Sequence, residues 1–194
     1  MSSQPLSSLR DREILLGVTG GIAAYKAADL CSKCAQAGAR VTVVMSAAAE
    51  QFVTATTFAA LSGRPVVTDL FAEKAYPRGA HIELAERADV FVVAPATARF
   101  LAQAALGLAD DLLATLTLCH TGPFLVAPAM NTDMWEKPAV QRNLAQLQSD
   151  GATIINPGSG WLSCGRIGVG RMAEPAEILG HLEQACAGLA GRTR

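Results

Sequence analysis

The chain predicts a doubly wound α/β fold, a parallel sheet of about six strands with helices on both faces, and three observations carry that expectation. Val90-Phe91-Val92-Val93-Ala94 is apolar at every position, the pattern of a central parallel strand covered on both sides rather than a half-exposed one. Glu13 to Thr19, EILLGVT, is a second apolar run that stops at Gly20-Gly21 and passes into an Ala-rich helical pattern reaching about Ala37. A third run, Arg40 to Met45, follows Gly38. Strand, helix and strand in this order make a βαβ unit, whose crossover is right-handed.

The remaining elements extend the alternation. Ser46 caps a short helix over Ala47 to Phe52, and Thr56 to Ser62 reads as another helix. Pro65 to Thr68 is a brief strand, and Asp69 to Ala80 a polar loop. A helical turn leads from His81 into the Val90 strand, with a helix at Arg99 to Leu106 after it. Gly107 to Leu118 is read as a helix with Asp110 and Asp111 in its first turn, where the dipole favours acids. Phe124 to Ala127 is a fifth strand, Pro138 to Gly151 an amphipathic helix, Ala152 to Ile155 a sixth strand, and Glu174 to Ala187 a closing helix. Asn156 to Met172 holds five glycines and is expected as a long functional loop or lid. The layout is Rossmann or flavodoxin-like.

The 194 residues are expected to form one domain over 13–194 behind a loose tail at 1–12. Charged residues make up 17% of the chain, below the usual quarter, so part of the outer surface is expected to be covered by self-association. Sixteen basic against seventeen acidic residues leave a net charge of -1. That balance gives no electrostatic case for nucleic acid or an anionic membrane, while local phosphate binding remains compatible with it. The apolar runs are strand-sized, against roughly 20 residues for a membrane helix. Met1 to Arg12 lacks the apolar core of a signal peptide. Five cysteines at irregular spacing point to a reducing, cytoplasmic setting.

In such sheets ligands sit beyond the carboxyl ends of the strands. Two apolar strands end there in a proline followed by small and polar residues, Pro95-Ala96-Thr97 and Pro128-Ala129-Met130-Asn131, and both would line one crevice. Gly20-Gly21 would let backbone N–H groups approach an anion, but TGGI lacks the Gly-x-Gly-x-x-Gly spacing, so a phosphate loop and an ordinary tight turn both stay open. Ser46 is either a phosphate or ribityl contact or a cap. Asn131 is either a ligand residue or a cap. Asp110 and Asp111 fit structural capping as well as a ligand role, and no metal-binding spacing surrounds them.

Cys31 and Cys34 lie inside a helix and read as core residues, because a redox pair would sit at a helix start. Cys164, among glycines and off any apolar periodicity, does not. His120 and His181 read as surface residues. His81 is either a cap or a proton carrier, returning to the crevice or belonging to a neighbouring subunit.

TGGIAAYK, the histidine of HIELAERAD, the loop in VVAPATA, GLADDLL, PAMNTDMW and SCGRIGVGRM occur here in one order. Together, over roughly Ile14 to Leu182, they resemble the homo-oligomeric flavin-containing cysteine decarboxylases. PAMNxxMW joined to CGxxGxGRM is the specific part. The resemblance implies decarboxylation of 4'-phosphopantothenoylcysteine to 4'-phosphopantetheine in coenzyme A biosynthesis, with FMN as cofactor. Direct loss of CO2 from a cysteine carboxylate would leave a carbanion with no sink. The implied route therefore oxidises the thiol carbon to a thioaldehyde, loses CO2 to an enethiolate and re-reduces that with the flavin.

On this resemblance His81 is the acid/base residue and Cys164 delivers the last proton. Asn131, with Met134 and Ser163, binds substrate. Gly20, Gly21, Ile22, Ser46, Thr97 and Ala98 hold the FMN phosphate and ribityl chain, and Ala129 and Met130 lie near the ring. Arg99-Phe100 occupies cofactor-binding positions where many members have Asn-Thr, which leaves their side-chain contacts open. A homotrimer or a dodecamer of trimers is implied, as is a separate synthetase supplying the substrate, since the chain stops at Arg194. The competing readings are an oxidative peptidyl-cysteine decarboxylase, disfavoured by Cys164, a flavin prenyltransferase, disfavoured by PAMNxxMW, and a non-catalytic flavin-binding regulator.

Overall fold

The computed structural model describes residues 8–71, 76–163 and 165–189. Five strands, β1 (Glu13–Val18), β2 (Arg40–Met45), β3 (Val90–Ala96), β4 (Phe124–Pro128) and β5 (Thr153–Ile154), form one parallel sheet in the order β2-β1-β3-β4-β5. The brief strand expected over Pro65 to Thr68 is reduced to a single bridge between Val67 and Val44. Pro65 has no N–H for a ladder, so pairing is confined to Val67, which donates to Val43 O at 3.0 Å and accepts from Met45 N at 3.0 Å.

Side chains alternate across the sheet, and each face has its own core. Ile14, Leu16, Val18, Val90, Val92 and Ala94 pack beneath α1 (Ala24–Gln36), α2 (Ala55–Ser62) and α8 (Pro175–Ala187). Leu15, Phe91, Val93 and Val126 face the other way, against α3 (Ala80–Arg87), α4 (Ala98–Leu106), α5 (Leu112–Cys119) and α7 (Pro138–Ser149). The doubly wound expectation holds, because a strand apolar at every position can be buried only between two layers. From β1 the chain winds outward to β2 and then crosses back to β3, so the direction of winding reverses between β1 and β3, where such sheets hold their ligands.

Several boundaries moved. Asp111 is not in the first turn of its helix but caps it, accepting from Ala114 N at 2.9 Å with an extended backbone, which pushes the helix start from Gly107 to Leu112. Ala47 to Phe52 tightens to one 3-10 turn, Ala49–Gln51. The glycine-rich stretch expected as a loop folds into an antiparallel hairpin, β6 (Gly158–Trp161) with β7 (Ile167–Arg171). Part of the expected tail is packed: Leu9 is fully buried, and Ser8 Oγ donates to Glu183 O on α8 at 2.9 Å.

Cys31, Cys34 and Cys186 belong to the core between α1 and α8, and burial raises their thiols to about 11, about 12 and about 11. That is the core reading of the Cys-x-x-Cys spacing. No group of three or more His, Cys, Asp or Glu among the described residues is placed to hold a metal ion, and no helix among them is long and apolar enough to cross a membrane.

His120 is not a surface residue. It follows α5, lies within 3.4 Å of Ala85 O and 3.2 Å of Pro123 O, and meets the Phe91 ring edge-on. Burial lowers its pKa, against the opposing pull of the two carbonyls. A depressed imidazole binds its proton more readily in the unfolded chain, so the folded state loses stability as pH falls below the ordinary value near 6.5. Chemical denaturation between about pH 7.5 and about pH 5 should show wild type losing stability relative to His120→Gln as pH falls. A parallel pH dependence of the two proteins would contradict this.

Candidate active site at the carboxyl edge of the sheet

The β1–β3 ladder runs from Ile14↔Val90 to Gly17↔Val93 and goes no further. Beyond it the strand ends part, and one side chain bridges them. Thr19 is 4% exposed. Its Oγ1 donates to Pro95 O at 2.6 Å and accepts from Thr97 N at 3.0 Å, while its own N–H reaches Pro95 O at 3.3 Å. Because Pro95 has no N–H, a ladder could not continue through it, and the threonine hydroxyl supplies the missing link. Thr97, so held, caps α4 by accepting from Phe100 N.

Two cavities open at this edge, and both are bordered by Gly20 and Thr97. The wider, about 560 Å³, lies over the β1–α1 turn and the end of β4. Gly21, Ile22 and Ala98 form one side of it, and Ala129, Met130 and Asn131 another. Met134 and Ser163 also reach it. The narrower, about 340 Å³, lies between the ends of β2 and β3 and the start of α5. Ser46, Arg99 and Phe100 line it. Most of the expected site residues are therefore gathered into one continuous region, including Arg99 and Phe100 at the divergent positions.

Ile22 and Tyr25 stand 60% and 59% exposed on the wall of the wider cavity, which leaves an uncovered apolar surface there. The narrower cavity instead offers the hydroxyls of Ser46, Thr68 and Thr97 and the guanidinium of Arg99. Ser46 also serves as the cap expected of it, accepting from Ala49 N at 3.3 Å.

Asn131 is the cap expected of it and also stands on the cavity wall. Its Oδ1 accepts from Asp133 N at 2.7 Å, capping the short helix α6 (Thr132–Trp135), and the residue lines the wider cavity. The cap orients the carboxamide, with its oxygen committed to the helix.

The hairpin β6–β7 roofs this site. Met130 N donates to Gly170 O at 2.9 Å, and Thr132 Oγ1 donates to Val169 O at 2.8 Å. A Cβ on Gly170 would collide with Met130 O, and one on Gly168 with Thr132 Oγ1, so the glycines permit the close docking. Arg166 Nη1 pairs with Asp133 Oδ2 at 2.5 Å at the edge of the roof. At its base, Lys26 of α1 is 7% exposed and donates to Glu174 Oε1 at 2.7 Å and Met172 O at 3.2 Å.

His81 lines neither cavity. It sits in the first turn of α3, which leads back to the start of β3, and its Nδ1 is buried without a partner among the described residues. Cys164 lies outside the described residues, between Ser163 and Gly165. Lys26, Trp161 and Arg171 border the wider cavity without having been anticipated. Lys26 carried a usable signal, since it falls four residues before Leu30 and eight before Cys34 on the buried stripe of α1.

Residues 2–186 match the Flavoprotein family, and the chain belongs to it. Within that family it is 48% identical over 171 residues to the coenzyme A biosynthesis bifunctional protein CoaBC of Bacillus subtilis, covering 88% of this chain and 42% of the relative. The chain thus spans less than half the length of that relative. Among solved structures, the FMN-dependent cysteine decarboxylase SpaF superposes with a TM-score of 0.82 at 33% identity, over 95% of this chain and 100% of that one. A mutant PPC decarboxylase complexed with pantothenoylaminoethenethiol gives a TM-score of 0.82 at 34% identity, over 90% and 98% of the two chains.

Thr19→Val keeps the shape of the bridge but removes its hydroxyl, leaving Thr97 N–H unpaired. Urea denaturation should show a loss of about 1–3 kcal/mol; an unchanged midpoint and slope would remove Thr19 from this role.

Proposed function

We propose that this domain decarboxylates 4'-phosphopantothenoylcysteine to 4'-phosphopantetheine, with FMN as cofactor, in coenzyme A biosynthesis. The observation that carries the reading is the placement of Asn131: a carboxamide oriented by its own helix cap, at the wall of the wider cavity, beneath the hairpin β6–β7. The similarity to CoaBC and to PPC decarboxylase supports the substrate.

The residues present fit the cofactor. The exposed Ile22 and the neighbouring Ala129 and Met130 make an apolar seat for a ring, and Gly20, Gly21, Ser46, Thr97, Ala98 and Arg99 border the space for a hydroxylated, anionic arm. Phe100, 3% exposed, closes that space from behind. When bound, FMN supplies the two-electron acceptor and donor that lets the thiol-bearing carbon be oxidised before CO2 leaves and the product be reduced afterwards.

Asn131 holds the substrate carboxylate through a neutral donor. A cation there would stabilise the carboxylate that has to be lost. Met134 and Ser163 border the substrate side of the cavity. Cys164 gives the proton that completes reduction, and His81 exchanges a proton at the oxidation step.

His81 lies at the carboxyl end of the sheet but off both cavities, so the site is completed by a neighbouring copy in a homotrimer or a dodecamer of trimers. The sparse surface charge and the exposed Ile22, Tyr25, Trp161 and Ile167 support such packing. The cysteine conjugate comes from a ligase unit distinct from this domain, and the setting is cytoplasmic.

The purified protein should be yellow and should release CO2 from 4'-phosphopantothenoylcysteine with 4'-phosphopantetheine as product. A protein that takes up no flavin, or releases CO2 only from cysteine-terminated peptides, would overturn the proposal. Cys164→Ser should still release CO2 but accumulate the oxidised enethiol. His81→Asn should slow turnover by about 10²–10⁴-fold. Asn131→Asp keeps the capping oxygen and should lower kcat/KM by about 10–100-fold, measured by CO2 release at fixed flavin occupancy.

A further inference from the structure

We infer that Gln103 binds the cofactor, its carboxamide donating a hydrogen bond to an oxygen of the ribityl-phosphate arm of a flavin nucleotide in the narrower cavity. The inference rests on the flavin reading above and adds a residue that no motif singles out. Gln103 is 6% exposed on α4 and lines that cavity. Its Nε2 is buried and has no hydrogen-bond partner among the described residues. A buried amide N–H left unpaired costs about 1–3 kcal/mol, and a leucine would fill the same space without that cost.

Much of what surrounds the donor is apolar. Phe100, Leu101 and Ala104 on α4 and Leu112 and Leu113 on α5 are all buried apolar neighbours in the same core. Three of the side-chain oxygens bordering the cavity already hold backbone donors: Thr97 Oγ1 takes Phe100 N, Ser46 Oγ takes Ala49 N, and Asp111 Oδ1 takes Ala114 N. None of these oxygens, nor Thr68 Oγ1, receives Gln103 Nε2 among the described residues. Arg99 and the amino end of α4 favour an anionic acceptor. Asp111 opposes it, but its carboxylate is itself held at the amino end of α5. A polyhydroxylated phosphate ester meets these conditions, and it brings an oxygen to the unpaired Gln103 Nε2.

The test separates the residue from the fold and from the flavin reading. Gln103→Met keeps the bulk and removes the donor, and Gln103→Lys keeps a donor. Apoprotein prepared by removing bound flavin is titrated with FMN by fluorescence quenching, and its thermal midpoint is recorded. For Gln103→Met the apoprotein midpoint should be unchanged or raised while the Kd for FMN rises roughly tenfold. Gln103→Lys should bind FMN more tightly than Gln103→Met. Lumiflavin, which lacks the arm, should bind wild type and Gln103→Met alike. An unchanged FMN Kd in Gln103→Met, equal losses in the Met and Lys variants, or an equal loss for lumiflavin would each overturn the inference. Failure of the wild-type apoprotein to bind FMN would instead overturn the flavin reading on which it rests.

Discussion

The site depends on one hydroxyl. Thr19 joins the ends of β1 and β3 where their ladder stops, and it does so from both sides, donating to Pro95 O and accepting from Thr97 N. Because the bridge is made by a side chain rather than by paired backbone, the two strand ends can part and leave room for a ligand while remaining fixed to each other. The fixed position of Thr97 in turn sets the start of α4, and with it the directions of Arg99, Phe100 and Gln103. Floor and wall of the crevice share a single anchor.

Around that anchor, the polar residues combine structural and ligand-facing roles. Ser46, Thr97 and Asn131 each accept a backbone N–H at the start of a helical segment and each border a cavity. A cap has to stand at a helix start, and the helices after β2, β3 and β4 all start at the carboxyl edge of the sheet. The parallel arrangement therefore delivers oriented polar side chains to the place where the ligand lies. Ser46 and Asn131 are caps, and capping leaves each of them at a cavity wall.

The four longer strands were legible because they are buried on both faces and so carry no polar interruption. The bridge at Val67 was over-read, since a short apolar run beside a proline looks like a strand whether or not a ladder can form. The hairpin was under-read. Ile167, Val169 and Arg171 alternate with glycines, which is strand periodicity, but glycine weakens any strand assignment, and its reason for being there is the close approach of Met130 and Thr132. That reason is a tertiary contact, invisible along the chain. Lys26 and Gln103 were missed for a similar cause: each is a polar residue on an apolar helix face, and only the assembled site shows that one has partners among the described residues and the other does not. His120 had no motif to mark its pocket between Ala85 and Pro123.

The roof has a consequence for how such a domain can diversify. Its two docking bonds are received by main-chain oxygens of Val169 and Gly170, and its close contacts fall at glycines. The attachment is thus written in backbone oxygens, while the exposed Trp161 and Ser163 border the wider cavity from the same hairpin. Those positions are free to change without loosening the attachment, so one scaffold can exchange the chemistry of its ceiling and keep its floor. Recognition of a different ligand would then be reached by substitution in a single hairpin, leaving the opposite side of the crevice untouched.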